Sequence, residues 1–255
     1  MDTNLLEAVF SEALYSLEQY FKFAFSGFVL FYLVLKKPLW FRKIQQKMPR
    51  FKDYGREVFF SAISVLIFGL VSATVLFVYW DETTLYKESY DQYGHAYYWF
   101  TFVWLIILHD TYFYWLHRAM HSKLLFKYVH KVHHASRNPS PWTAYSFHPL
   151  EAFLEALIIP IMAFTLPVHI STITSVLLFQ IVYNVYAHLG FEILPKGASN
   201  HVLGKYINTG VAHNLHHSRF TGNYGLYFLF WDRLCGTVRK DYDESYRVVT
   251  SRPLS

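Results

Sequence analysis

Histidine is the residue type best placed to do chemistry in this chain, at 14 of 255 residues. His117-Arg118-Ala119-Met120-His121 sets two imidazoles at i and i+4, on one face of a helix. His130-Lys131-Val132-His133-His134 offers i, i+3 and i+4, and His213-Asn214-Leu215-His216-His217 repeats that spacing further along. Imidazole suits iron, zinc, copper and nickel. Residues one helical turn apart can aim nitrogens at one ion or at two neighbouring ions. Eight neutral donors exceed the four of a structural zinc site, so two metals are the economical reading. No His-Glu-x-x-His protease motif, Walker-type loop or cysteine ligand accompanies them. The only cysteine, Cys235, excludes an intrachain disulfide.

The elements that must position these groups are long and apolar. Hydrophobic residues make up 53% and aromatics 20%, while charged residues reach only 16%, against roughly 25% in soluble domains. That pattern predicts an all-α, multi-pass membrane bundle. Spans are expected at about Tyr20–Leu35, Val58–Trp80 and Ala96–Leu116, with a hairpin over Ala152–His188 turning at Leu166–His169. The uncharged stretch Val58–Trp80 would make roughly 34 Å of helix, enough for a hydrocarbon core of about 30 Å. Of the 23 Lys and Arg, all but Lys22 and Lys87 fall in Lys36–Arg56, Arg118–Arg137 and Lys196–Arg252. One topology puts these segments on the cytoplasmic side, with the N-terminus and the acidic loop Asp81–His95 outside. The basic charge is thereby explained by topology rather than by nucleic acid. The acidic N-terminus, with Asp2, Glu7, Glu12 and Glu18, is unlike a cleavable signal peptide.

In that topology the histidine groups form a cytoplasmic cap at the inner helix ends. His188 arrives there at the end of the hairpin's return helix and is expected as a ligand. His148 is taken with the metal set, or else hydrogen-bonds one of its members. His109 is expected as a buried hydrogen-bonding group, His201 as a loop residue, and His95 and His169 as external residues without a metal role. Asp110 stands seven residues before His117 on nearly the same helix face. A carboxylate there can accept the free N–H of a ligating imidazole, and an acid inside a span points to function. Asp232 is expected in the same role, or paired with Arg118 or Arg233.

The stretch Asp110-Thr111-Tyr112-Phe113-Tyr114-Trp115-Leu116-His117-Arg118-Ala119-Met120-His121, the two His-x-x-His-His groups, and Asn223-Tyr224-Gly225 with Trp231-Asp232 through Gly236-Thr237 resemble the fatty acid hydroxylase/sterol desaturase superfamily. The resemblance covers about Trp99–Arg239. It implies a membrane-bound di-iron oxygenase with O2 as co-substrate. Pro141–Glu151 is closest in style to the sterol desaturase branch. Where the family's sphingolipid fatty acid hydroxylase has a further His-x-x-x-His, this chain reads His188-Leu189-Gly190-Phe191-Glu192, leaving Glu192 as an oxygen ligand or a lost one. The expected organisation is transmembrane spans in 1–95, the di-iron catalytic region in 96–240 and a tail in 241–255.

Ferrous iron in a field of neutral nitrogens keeps open positions at which O2 can be used against an unactivated C–H bond. Hydroxylation and desaturation of a sterol-like or acyl lipid remain equally open. No dinucleotide fingerprint, iron–sulfur cysteines or haem domain is present, so a separate cytochrome b5-like, ferredoxin-like or reductase donor is expected. The rivals are a zinc-dependent membrane hydrolase, which lacks an evident carboxylate base beside the clusters, and a non-catalytic metal binder or transporter. The ending Arg252-Pro253-Leu254-Ser255 carries no dilysine signal, which favours a bacterial inner membrane over the endoplasmic reticulum.

Overall fold

A computed structural model describes residues 4–253, so Asp2 and the last two tail residues lie outside the described residues. The chain is almost wholly helical. In order, the helices are α1 (Leu5–Phe28), α2 (Phe51–Ala73), α3 (His95–Met120), α4 (Pro149–Ala156), α5 (Ile158–Ala163), α6 (Ile170–His188), α7 (Gly210–Arg219), α8 (Phe230–Leu234) and α9 (Tyr242–Thr250). Helix α1 starts where Asn4 accepts the Glu7 amide, and α2 where Asp53 reaches back to the Arg50 amide.

Among the described residues, two stretches are long and apolar enough to cross a membrane: Phe51–Val78, in which α2 runs on through a π-helical turn, and α6. Helices α1 and α2 pack so closely that a Cβ on Gly69 would come within 2.8 Å of the Ala13 backbone. The expected hairpin is present but uneven. Its outgoing arm is broken into α4 and α5, with Pro160 lying inside α5, whereas α6 is continuous. The turn between them is clipped to the 81–95 loop by two short parallel strands, β1 (Leu85–Tyr86) and β2 (Val168–His169). The main apolar core lies between α3, α5 and α6, on Leu105, Phe113, Ile159, Met162, Ile173 and Val176.

Residues 242–250, within the expected tail, fold into α9. Tyr242 and Tyr246 of that helix are buried against Val211 of α7 and Leu229. This helix closes the end of the molecule that carries the histidines.

Candidate dimetal centre

Four segments bring nine imidazoles together. His117 and His121 come from the last turn of α3, and His130, His133 and His134 from two tight turns that follow it. His188 ends α6, while His213, His216 and His217 lie on α7. They divide into a group of five (His117, His121, His130, His134, His216) and a group of four (His133, His188, His213, His217). Within each group the donor nitrogens lie within 4.8 Å of one another. Helical spacing explains the division. His130 and His134, at i and i+4, share the first group, and His213 and His217 share the second. The middle histidine of each triplet, His133 or His216, crosses to the other group. The groups adjoin, with the His134 and His217 rings 4.8 Å apart.

The Nδ1 atoms settle what the Nε2 atoms can do. His117, His188, His216 and His217 donate Nδ1–H to the carbonyls of Tyr224, Asn184, Gly222 and Ser136 at 2.8–3.0 Å, and His133 donates to Ser146 at 3.3 Å. His130 Nδ1 lies 2.6 Å from Glu151 Oε1. A neutral imidazole carrying its proton on Nδ1 has a bare lone pair on Nε2. Yet His188 Nε2 stands 3.1 Å from His217 Nε2 and 3.3 Å from His133 Nε2. Facing lone pairs at that distance repel unless a Lewis acid lies between them, so the donor set fits two metal ions. Burial, reinforced by the neighbouring imidazoles, holds His130, His134, His213, His216 and His217 well below the ordinary 6.5. His121 falls to about 2 for the same reasons. Ligands must be neutral to bind metal, and these are.

Of the expected residues, His148 stands apart. It caps α4, accepting the Leu150 amide through Nδ1, and belongs to neither group. Asp110 does not touch His117. Seven helical residues separate them by about 10 Å of rise, and Asp110 instead accepts the amides of Tyr227 and Phe228 at 2.8 and 3.1 Å. Asp232 pairs with neither Arg118 nor Arg233. It accepts the Tyr224 and Gly225 amides and the Thr237 hydroxyl, shaping the turn whose Tyr224 carbonyl holds His117. Asp232 therefore acts through backbone that supports a histidine, while Asp110 fixes the neighbouring Tyr227–Phe228 backbone. Glu192 belongs to neither group; its two oxygens accept the Leu194 amide and the Val211 amide in the first turn of α7.

Two acids escaped the sequence reading. Glu151, wholly buried, is the one carboxylate on an imidazole of either group among the described residues, and its signal was an acid flanked by the apolar run Ala152-Phe153-Leu154. Glu57 of α2 accepts the hydroxyls of Ser136 and Ser140 at 2.7 and 2.6 Å, fixing the Ser136 carbonyl that receives His217. Gly222 supplies another of these carbonyls from a left-handed conformation, φ 73°, where a Cβ would come within 2.6 Å of the Thr237 carbonyl oxygen.

A family model described as fatty acid hydroxylase matches residues 102–237, more than half of the chain, and takes in all nine clustered histidines. The chain belongs to the fatty acid hydroxylase family. Among relatives of this fatty acid hydroxylase family member, a Delta(7)-sterol 5(6)-desaturase of Gibberella zeae is 36% identical over 155 residues, covering 61% of this chain and 42% of that protein. Lathosterol oxidase of Rattus norvegicus is 28% identical over 204 residues, covering 76% and 64%. Lathosterol oxidase of Homo sapiens is 34% identical over 130 residues, covering 51% and 42%. The chain thus spans less than two thirds of each of these relatives. No solved structure matches the chain. Helix α2, which carries Glu57, lies outside the range of the fatty acid hydroxylase model, so part of the support for the centre comes from outside it.

Proposed function

We propose that this protein is a membrane-bound di-iron oxygenase that oxidises a C–H bond of a lipid, sterol-like or acyl, with O2 and electrons from a separate donor. The observation that carries the proposal is the pair of adjoining groups of Nε2 atoms. Five of the nine imidazoles have Nδ1–H committed to a carbonyl, leaving Nε2 for metal. All-imidazole donors suit iron and leave positions open for O2. The names of the relatives, a desaturase and two oxidases of sterols, support a lipid substrate.

Iron bound there would supply the reduction of O2 by two external electrons and two protons. Hydroxylation puts one oxygen atom into the lipid and releases one water. Desaturation removes two adjacent hydrogens and releases two waters. The chain's own residues hold, orient and exclude. Carbonyls of Ser136, Ser146, Asn184, Gly222 and Tyr224 fix ring orientation, while Glu151 raises the basicity of His130. The Phe113 and Phe147 rings lie against His117 and His133, at 4.9 and 5.1 Å between centroids, and form an apolar wall beside the histidines. Beyond that wall a largely apolar cavity is lined by residues of α1, α4, α5 and α6, with His109 of α3 and Phe68 of α2 also on its wall.

The decisive experiment supplies 18O2 to the iron-loaded protein with a reductase and donor. A product lipid carrying one labelled oxygen, or one lighter by two hydrogens without label, is expected. Turnover without O2, supported by zinc alone, would defeat the proposal. The multi-pass topology, with the centre on the cytoplasmic face, is supported by the Lys and Arg distribution. Large apolar side chains facing outward on α1, α2 and α3, such as Leu14, Phe59 and Trp99, also support it. Reporter fusions after Ser255 and within Thr83–Tyr93 should lie on opposite sides; both on one side would sink it.

A further inference from the structure

The geometry points to a hydroxyl-reading site inside the apolar cavity. Glu155 or His109 would hold a neutral lipid alcohol there by its hydroxyl, Glu155 one helical turn from Glu151 and His109 about two turns from His117. This names a substrate class for the oxygenase reading and depends on that reading only for what happens to the bound lipid.

Glu155 and His109 are two of the polar side chains on the cavity wall, beside Ser72, Tyr145, Gln180 and Asn184. Glu155 of α4 is 9% exposed, and among the described residues no side chain or amide hydrogen-bonds its carboxyl. His109 of α3 is 4% exposed; its Nδ1 is taken by the Tyr227 hydroxyl at 3.1 Å, and its Nε2 has no partner among the described residues. A carboxyl buried without a partner is costly, and both groups border the space that an occupant would fill. An all-hydrocarbon occupant would leave them unpartnered.

The charge of the lining narrows the occupant. Glu12 and Glu155 are its charged residues, and no Lys or Arg borders the cavity. A phosphate or free carboxylate would meet acids with no cation to offset it. A hydroxyl is neutral, and it can donate to a carboxyl or accept from an imidazole N–H, so it suits either group. On α1, Glu12, Ser16 and Gln19 line the same cavity at i, i+4 and i+7.

Position then becomes selectivity. Glu155 is one turn, about 6 Å of rise, beyond Glu151, which holds His130. His109 is about 12 Å of rise from His117. A hydroxyl fixed there sets which carbon of a rigid lipid reaches the Phe113–Phe147 wall.

The test is equilibrium binding to the full-length protein in neutral detergent, without reductant. The probes are lathosterol and its 3-deoxy analogue, and octadecan-1-ol, octadecane and stearate. The expected result is that at least one alcohol binds about tenfold or more tightly than its deoxygenated partner, the ratio set by one hydrogen bond, with stearate weaker than octadecan-1-ol. Glu155→Leu should bring the alcohol preference close to unity, and Glu155→Gln should keep part of it. Equal affinity for alcohol and deoxygenated probe in the unaltered protein, tighter stearate, or a preference that survives Glu155→Leu would each overturn the inference. The comparison on the unaltered protein stands even if a variant fails to fold. Because binding needs neither O2 nor electrons, an alcohol preference without O2 consumption would sink the oxygenase reading alone. Labelled product without an alcohol preference would sink this one alone.

Discussion

Glu151→Gln is the perturbation that most sharply tests how the centre is held. The Glu151 carboxyl and His130 are buried and 2.6 Å apart. That distance admits two proton arrangements. In one, the carboxyl donates to a bare Nδ1, which puts the ring's own proton on Nε2 and removes His130 from the metal. In the other, Nδ1–H donates to a carboxylate and Nε2 is free. Burial alone pushes Glu151 up, towards the neutral acid, so the second arrangement requires the positive charge of a metal on the far side of the ring. Glutamine preserves size and an acceptor oxygen but not charge. Hydrogen bonds to charged groups contribute about 1.5–3 kcal/mol and neutral ones about 0.5–1.5 kcal/mol. The expected loss is therefore about 1–1.5 kcal/mol, or roughly 5–15-fold in affinity. It should fall on the five-histidine group, because His130 belongs to it. Iron titration against a competing chelator should resolve one weakened and one unchanged site. If both sites keep their affinity within about twofold, the carboxylate does not tune the metal and the reasoning fails. Glu151→Ala should be worse, since it strands a buried Nδ1–H at a further cost of about 1–3 kcal/mol.

Two further expectations use the same geometry. His188→Ala should remove the ion held by the four-histidine group, while His148→Ala should leave both ions in place; equal metal loss measured by elemental analysis would contradict this assignment. In the metal-free protein, His130, His134, His213, His216 and His217 have folded-state values below their ordinary 6.5, so the unfolded chain binds more protons as acid is added. Their contribution to stability is complete above pH 6.5 and is lost progressively below it, with His121 titrating down to about 2. The melting temperature of the metal-free protein should fall steadily from about pH 7 to about pH 4.5, and a flat profile would refute it.

Much of the centre was legible in one dimension because helical spacing is a local property. The i, i+3, i+4 pattern of His130–His134 and His213–His217 already places three imidazoles within reach of metal, and the end of an apolar run brings His188 to the same level. The outgoing hairpin arm was less legible, and its division into α4 and α5 shows only in the folded chain. How the histidines are shared between two groups was not legible, since His133 and His216 must cross between segments 83 residues apart along the chain. The supporting groups were hidden for the same reason. Glu57, Glu151 and the Gly222 and Tyr224 carbonyls reach the site by packing, and no spacing rule links them to their histidines. Asp110 illustrates the opposite error: shared helical phase was visible, but the rise between turns carried it to the Tyr227 and Phe228 amides. Residue type and period are written in the sequence, whereas which backbone carbonyl meets which Nδ1 is decided by how α2, α7 and the 220–237 turns pack around the end of α3.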